Sequence, residues 1–255
     1  MIIFNFMRKE ILDSLTVINY WEGIPLFQLG FRRNSYLSRL EQRIGNRLIK
    51  VIAGQRRTGK SYIVRQLLDT LINRLNVNQV NTFYLNKEMY EFEGIQNADD
   101  LSATIAMYEK KYIPKGTIYL FLDEVQNIND WEKIVVSLAQ HPVKHYEVFI
   151  TGSNSTLLSG ELATLLSGRY ILTEVFPFSY NEYLDYQSLE NNKENFIHYI
   201  NTSALPEIFS LDHAETRKHY FQSLKNTILL KDIMYRHQIR DYILLEDIFL
   251  FLLHN

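Results

Sequence analysis

Cysteine is absent from all 255 residues. Disulfides, thiol chemistry and cysteine-type zinc sites are excluded together, and a reducing cytoplasm is the compartment that fits. No stretch reaches the ~20 apolar residues that a membrane span needs. The apolar start, Met1 to Met7, has its basic residues after it, the reverse of a signal peptide. A cytoplasmic protein without a membrane partner is expected. Charge of one sign is missing too: 27 basic and 29 acidic side chains leave −2, which neither requires nor excludes nucleic acid. Histidine is sparse. His141 and His145 are four apart, but Pro142 interrupts the helix they would need and no Glu follows His141, so no zinc pattern forms.

What remains is a globular composition, 46% hydrophobic and 22% charged. Short apolar runs at Leu48–Ala53, Thr82–Leu85, Thr117–Leu122, Glu147–Thr151 and Tyr170–Phe176 read as strands. Ile118 to Leu122 shows no polar alternation, as expected of a strand covered on both faces. Helical spacing fills the gaps. Ile63, Val64, Leu67, Leu68, Leu71, Ile72 and Leu75 form one apolar face. Leu101, Ile105, Tyr108 and Tyr112 form another, and Trp131, Ile134, Val135 and Leu138 a third, with Asn129 or Asp130 as its cap. Pro114-Lys115-Gly116 reads as the turn into the third strand. Strands alternating with helices predict a parallel sheet with helical crossovers.

After Pro177 the pattern turns mostly helical. The expected organisation is an N-terminal helical segment (1–45), a nucleotide-binding core (46–177) and a helical region (178–255). The apolar run Ile248 to Leu253 close to the chain end predicts either a longer protein or a dimer contact.

Gly54-Gln55-Arg56-Arg57-Thr58-Gly59-Lys60-Ser61 matches G-x-x-x-x-G-K-[ST] between a predicted strand and a periodic helix. That is the context a phosphate-binding loop needs. The glycines allow a tight loop, and successive backbone N–H groups and the helix start face one anion. Lys60 is expected at the β- and γ-phosphates, Ser61 at Mg2+, with Tyr62 next to the loop in the nucleotide-binding set.

Leu120-Phe121-Leu122 ends in Asp123 and Glu124, about sixty residues on. Asp123 is the candidate for holding Mg2+ and Glu124 the candidate base for an attacking water. Val148–Thr151 is followed by Gly152, Ser153 and Asn154, and open parallel sheets bind ligands at the carboxyl ends of their strands. Ser153 or Asn154 is therefore a candidate contact to the γ-phosphate or the water. No G-x-S-x-G elbow surrounds Ser153, which excludes a serine hydrolase. Arg169, before the fifth strand, is a candidate for stabilising charge on the γ-phosphate, from its own or a neighbouring subunit.

Between Phe31 and Arg65 ten basic residues face one acidic residue, Glu41, a local charge of +9. A solvated face plus a phosphate site explains it; a DNA-contacting surface is the sharper reading.

These motifs together resemble the prokaryotic AAA-like ATPases. Their marks are a G-[PQ]-R-R-x-G-K-[ST] loop, a strand ending D-E-[IV]-Q, a Trp soon after, T-G-S and G-R. Here they stand as Gly54–Ser61, Asp123-Glu124-Val125-Gln126, Trp131, Thr151-Gly152-Ser153 and Gly168-Arg169. Pro177-Phe178-Ser179, Glu182-Tyr183, Leu205-Pro206-Glu207 and Leu230-Lys231-Asp232-Ile233 extend the likeness.

The resemblance implies an α/β P-loop fold with a five-stranded parallel sheet in the order 5-1-4-3-2 and a helical lid. It implies Mg·ATP at Lys60, Ser61 and Asp123, a water primed by Glu124, and a sensor at Ser153 or Asn154. Arg169 takes the position of an arginine finger, with a homo-oligomer as its corollary. A winged-helix region and often a nuclease-like domain usually follow in such proteins. Ser203-Ala204 departs from the glycines that relatives tend to have there.

The expected function is ATP hydrolysis coupled to a conformational or DNA-associated task. The alternative is a nucleotide-dependent switch or scaffold with little turnover. A small-molecule kinase lacks a visible acceptor site, and no N-K-x-D motif points to guanine.

Overall fold

The computed structural model describes residues 2–24, 26–153, 161–234 and 238–254. They fall into two compact units, Met1–Glu190 and Asn191–Asn255.

The first unit opens with helices α1 (Ile2–Ile18) and α2 (Asn34–Glu41), then alternates. Strand β1 (Ile49–Ala53) leads to α3 (Lys60–Asp69), which runs on through a wider turn at Thr70–Arg74. Next come β2 (Thr82–Asn86), α4 (Ala98–Tyr112), β3 (Thr117–Asp123), α5 (Trp131–Ala139), β4 (His145–Gly152), α6 (Glu161–Leu165), β5 (Tyr170–Glu174) and α7 (Tyr180–Gln187). The five strands are all parallel in the order β2-β3-β4-β1-β5. This is the expected 5-1-4-3-2 sheet read from its other edge.

Side chains alternate across a strand, and the two cores follow that rule. Ile49, Val51, Leu120, Leu122, Val148 and Ile150 pack on the face covered by α1, α4 and α5. Ile52, Phe121 and Phe149 pack on the other, under α2 and α3. All of β1 is buried, as a central strand with two covered faces must be. Lys50 and Glu147 are fully buried on neighbouring strands and pair with each other. Burial pushes the Lys50 ammonium below its ordinary value, and the Glu147 carboxylate opposes that shift.

Three expectations are corrected. Strand β5 stops at Glu174, because the Val175 N–H makes the last bond to Ala53 O (2.7 Å) and Pro177, two residues on, has no N–H to offer. Asp130 precedes α5 but does not cap it with its side chain; its backbone is left-handed and its carboxylate pairs with Lys133 at 2.8 Å. The compact unit also runs past Pro177, because Glu182 on α7 pairs with Arg33 and Phe178 packs against Phe31 at 5.2 Å.

The second unit contains α8 (Lys193–Thr202), a helical turn at Pro206–Ser210, α9 (Ala214–Thr227) continuing through Ile228–Met234, and α10 (Tyr242–His254). Among the described residues, Ile208 and Leu229 are its fully buried apolar side chains, and Lys225 on α9 pairs with Glu246 on α10 at 2.5 Å. Ser203 takes φ 155° and ψ 151°, backbone that essentially only glycine adopts without strain. The departure at this position in the sequence therefore falls on a strained residue. No helix among the described residues is long and apolar enough to cross a membrane.

Candidate nucleotide site

The loop between β1 and α3 is shaped by two glycines with different reasons. A Cβ on Gly54 would overlap the carbonyl oxygen of Val175, the residue just past β5. Gly59 sits at φ 93°, immediately before the first turn of α3. Thr58 is buried and its hydroxyl donates to Gln55 O at 2.9 Å, closing the loop from inside. Lys60 is only 4% exposed and donates to Gly54 O (3.1 Å) and Gln55 O (3.0 Å). Burial pushes its ammonium below the ordinary lysine value, while the charges of Glu124 and Asp123 pull it back up.

The end of β3 supplies the acids. Asp123 is buried; Thr151 Oγ1 donates to its Oδ1, and Tyr84 OH donates to its Oδ2 at 2.9 Å. Glu124 adopts a left-handed backbone (φ 56°, ψ 48°), rare for a non-glycine residue, and its N–H donates to Thr151 Oγ1 at 3.0 Å. Thr151 thus joins both acids to β4. Glu124 Oε1 lies 3.7 Å from Lys60 Nζ, and Ser153 Oγ donates to Glu124 Oε2 at 3.1 Å.

Lys60, Asp123, Glu124 and Ser153 are thereby gathered at the carboxyl ends of β1, β3 and β4. For a magnesium ion the fit is good. Mg2+ keeps several waters and takes one or two protein oxygens plus substrate phosphates. A buried carboxylate, Asp123, and the Ser61 hydroxyl at the start of α3 are such a set.

Other expected residues fall elsewhere. Arg169 is exposed, and its carbonyl accepts from Ile49 N–H, at the start of β1. The loop lies at the other end of that strand, about 16 Å away at ~3.3 Å per residue. This chain does not bring Arg169 to its own Lys60. Asn154 lies outside the described residues. Tyr62 is partly exposed beneath the Arg65 guanidinium, 4.3 Å from its ring centre.

The basic stretch is largely used within the domain. Arg32 pairs with Asp69 (3.5 Å), Arg33 with Glu182 (2.6 Å), Lys50 with Glu147 and Arg56 with Glu88 (3.2 Å). Arg43 donates to Leu172 O and Thr173.

Against this geometry, the family profile described as an AAA domain matches residues 46–184, more than half of the chain. The chain belongs to this AAA family. An uncharacterized protein of Haemophilus influenzae is 34% identical over 227 residues, covering 88% of this chain and 55% of the relative. An uncharacterized protein of Methanocaldococcus jannaschii is 31% identical over 206 residues, covering 76% and 43%. The chain spans about half the length of these curated relatives. Among solved structures, the Walker-type ATPase PABY2304 of Pyrococcus abyssi shares the fold. Its TM-score is 0.53 at 15% identity, over 82% of this chain and 76% of that one. The AAA core therefore includes the loop, both acids, Ser153, Arg169 and Glu182.

Sequence reasoning missed Tyr84, Thr151 and Arg33. Thr151 stands inside the T-G-S motif, a signal that was available. Tyr84 carries none: only the β2–β3 register, which pairs Tyr84 with Phe121 and Asn86 with Asp123, reveals it.

Proposed function

We propose that this AAA domain binds Mg·ATP in the Gly54–Ser61 loop and hydrolyses it to ADP and phosphate. The observation that carries the reading is the convergence of Lys60 and Glu124, 3.7 Å apart, from two different strand ends. When a triphosphate enters, Lys60 exchanges its two loop carbonyls for phosphate oxygens, and the loop N–H groups and the start of α3 hold the remaining negative charge. Asp123 and Ser61 would hold Mg2+, which would supply positive charge against the phosphates. Glu124 takes the proton of the attacking water, with Ser153 fixing its carboxylate. Arg169 acts across a subunit interface, because its place at the far end of the β1–β5 pair keeps it from the site of its own chain.

That placement of Arg169 also favours a second reading, a nucleotide-dependent switch with little turnover in the isolated chain. Single-turnover hydrolysis at rising protein concentration separates the two. A steep rise that Arg169→Ala removes supports assembly-dependent catalysis; rates near zero at every concentration support the switch. Equilibrium binding of Mg·ATP and Mg·GTP, with Lys60→Ala beside the native chain, tests the site itself. Tight ATP binding lost in Lys60→Ala is expected; binding unchanged in Lys60→Ala contradicts the assignment. A DNA-associated task is a further proposal, resting on the exposed Arg39 and Arg47 of the basic stretch. Binding to DNA that weakens steeply with salt would support it.

A further inference from the structure

Immediately after Glu124 the chain makes one helical turn, Val125–Asn127, closed by the Asn127 N–H on Glu124 O at 3.1 Å. That turn carries the side chain of Gln126 back onto the acid two residues before it. Gln126 Nε2 donates to Glu124 Oε2, the same oxygen that takes the Ser153 hydroxyl. The other carboxylate oxygen, Oε1, is the one near Lys60.

The orientation of the amide follows from chemistry. An ionised carboxylate only accepts hydrogen bonds, so the amide atom that meets it is the nitrogen. The amide oxygen is then committed to the role of acceptor. Gln126 Oε1 is buried and receives no hydrogen bond from the described residues. With that oxygen closed to solvent, the bond from Nε2 to Glu124 is what orients the amide.

We infer that Gln126 is a positioning residue for the base, its amide nitrogen fixing the Glu124 carboxylate in the orientation that receives the water proton. The inference rests on the hydrolysis reading above. In the step, the water oxygen bonds to the γ-phosphorus as one water proton passes to Glu124. The bond from phosphorus to the β–γ bridging oxygen breaks, and ADP leaves with the electron pair. Gln126 gains and loses no proton.

The test compares Gln126→Leu, which keeps most of the side-chain volume, and Gln126→Ala, each alone and combined with Glu124→Gln. Mg·ATP affinity and single-turnover hydrolysis are measured for all, with thermal melts to confirm folding. Each Gln126 variant is expected to lose about a hundredfold in hydrolysis rate, the scale of a misplaced reactant. The dissociation constant should change less than about threefold, well under 1.4 kcal/mol. Neither variant should slow Glu124→Gln further, because Gln126 acts through the Glu124 carboxylate. Hydrolysis unchanged in Gln126→Leu and Gln126→Ala, an equal loss in affinity and rate, or an additive loss on top of Glu124→Gln would overturn the inference while leaving the ATPase reading intact. A native chain that binds Mg·ATP but never hydrolyses it removes the ATPase reading, and the inference with it.

Discussion

Arg33 holds Glu182 through both carboxylate oxygens, Nε to Oε1 at 2.6 Å and Nη2 to Oε2 at 2.8 Å. The same guanidinium donates to Thr58 O in the phosphate loop at 2.9 Å and to Phe176 O at 2.9 Å, and it lies 4.4 Å from the centre of the Tyr36 ring. It is 3% exposed. One side chain from the segment before β1 thus ties the loop to the stretch after β5 and to α7. Glu182 is only partly buried, so losing the guanidinium costs less than breaking a fully buried pair, about 1–3 kcal/mol. Arg33→Ala should therefore lower the unfolding free energy measured in urea by that amount and weaken nucleotide binding through Thr58. A loss below about 1 kcal/mol, the scale of a surface pair, would show that Arg33 is not the tie.

The same pair gives the domain a pH dependence with a definite sign. Burial alone pushes the Glu182 carboxyl up, but the Arg33 guanidinium and the Ser179 N–H and hydroxyl together hold it below its ordinary value of 4.5. A carboxylate with a depressed folded pKa stabilises the fold fully above its unfolded pKa, and that stability is lost as pH falls through the folded pKa. The difference in melting temperature between the native chain and Glu182→Gln should be full at neutral pH. It should shrink only below about pH 4.5. A difference that grows with acid contradicts the assignment.

Gly54 is required by space, since the Val175 carbonyl occupies the place of any Cβ. Gly54→Ala should cost about 1–3 kcal/mol in stability, as overpacking does. It should also weaken Mg·ATP binding, because it separates β1 from the strand that anchors the loop. Calorimetric titration and a melt on the same sample measure both. Native-like values for each would show that the loop is free to move away from Val175.

Ser203 offers the opposite experiment. Its backbone (φ 155°, ψ 151°) stores about 1–3 kcal/mol of strain that glycine does not feel. Glycine returns about 0.4–1 kcal/mol by loosening the unfolded chain. Ser203→Gly should therefore stabilise the second unit by about 1 kcal/mol, read as a later urea transition. An earlier transition would contradict the strain.

The legible parts of this protein are those where chemistry is contiguous. Gly54 to Ser61 and Leu120 to Glu124 each place several functional groups within eight residues, so their strand and helix contexts were visible in the sequence. The five strands were visible as apolar runs, and their order followed from the family likeness. The ends of the elements were less visible. Strand β5 stops where its last ladder partner, Ala53, runs out, and hydrophobicity does not encode that. Arg33 and Glu182 stand 149 residues apart in the chain; each reads alone as a surface charge, and only the fold brings them together. Gln126 was visible as part of a D-E-V-Q motif, but its contact depends on the left-handed backbone at Glu124. No pattern of residue types announces that conformation.

The most direct test of the central claim is single-turnover hydrolysis of Mg·ATP by the native chain and by Glu124→Gln, with bound nucleotide measured in the same samples. The account predicts that both bind Mg·ATP with similar affinity and that only the native chain converts it to ADP, at a rate that rises with protein concentration. Equal hydrolysis by Glu124→Gln would contradict it.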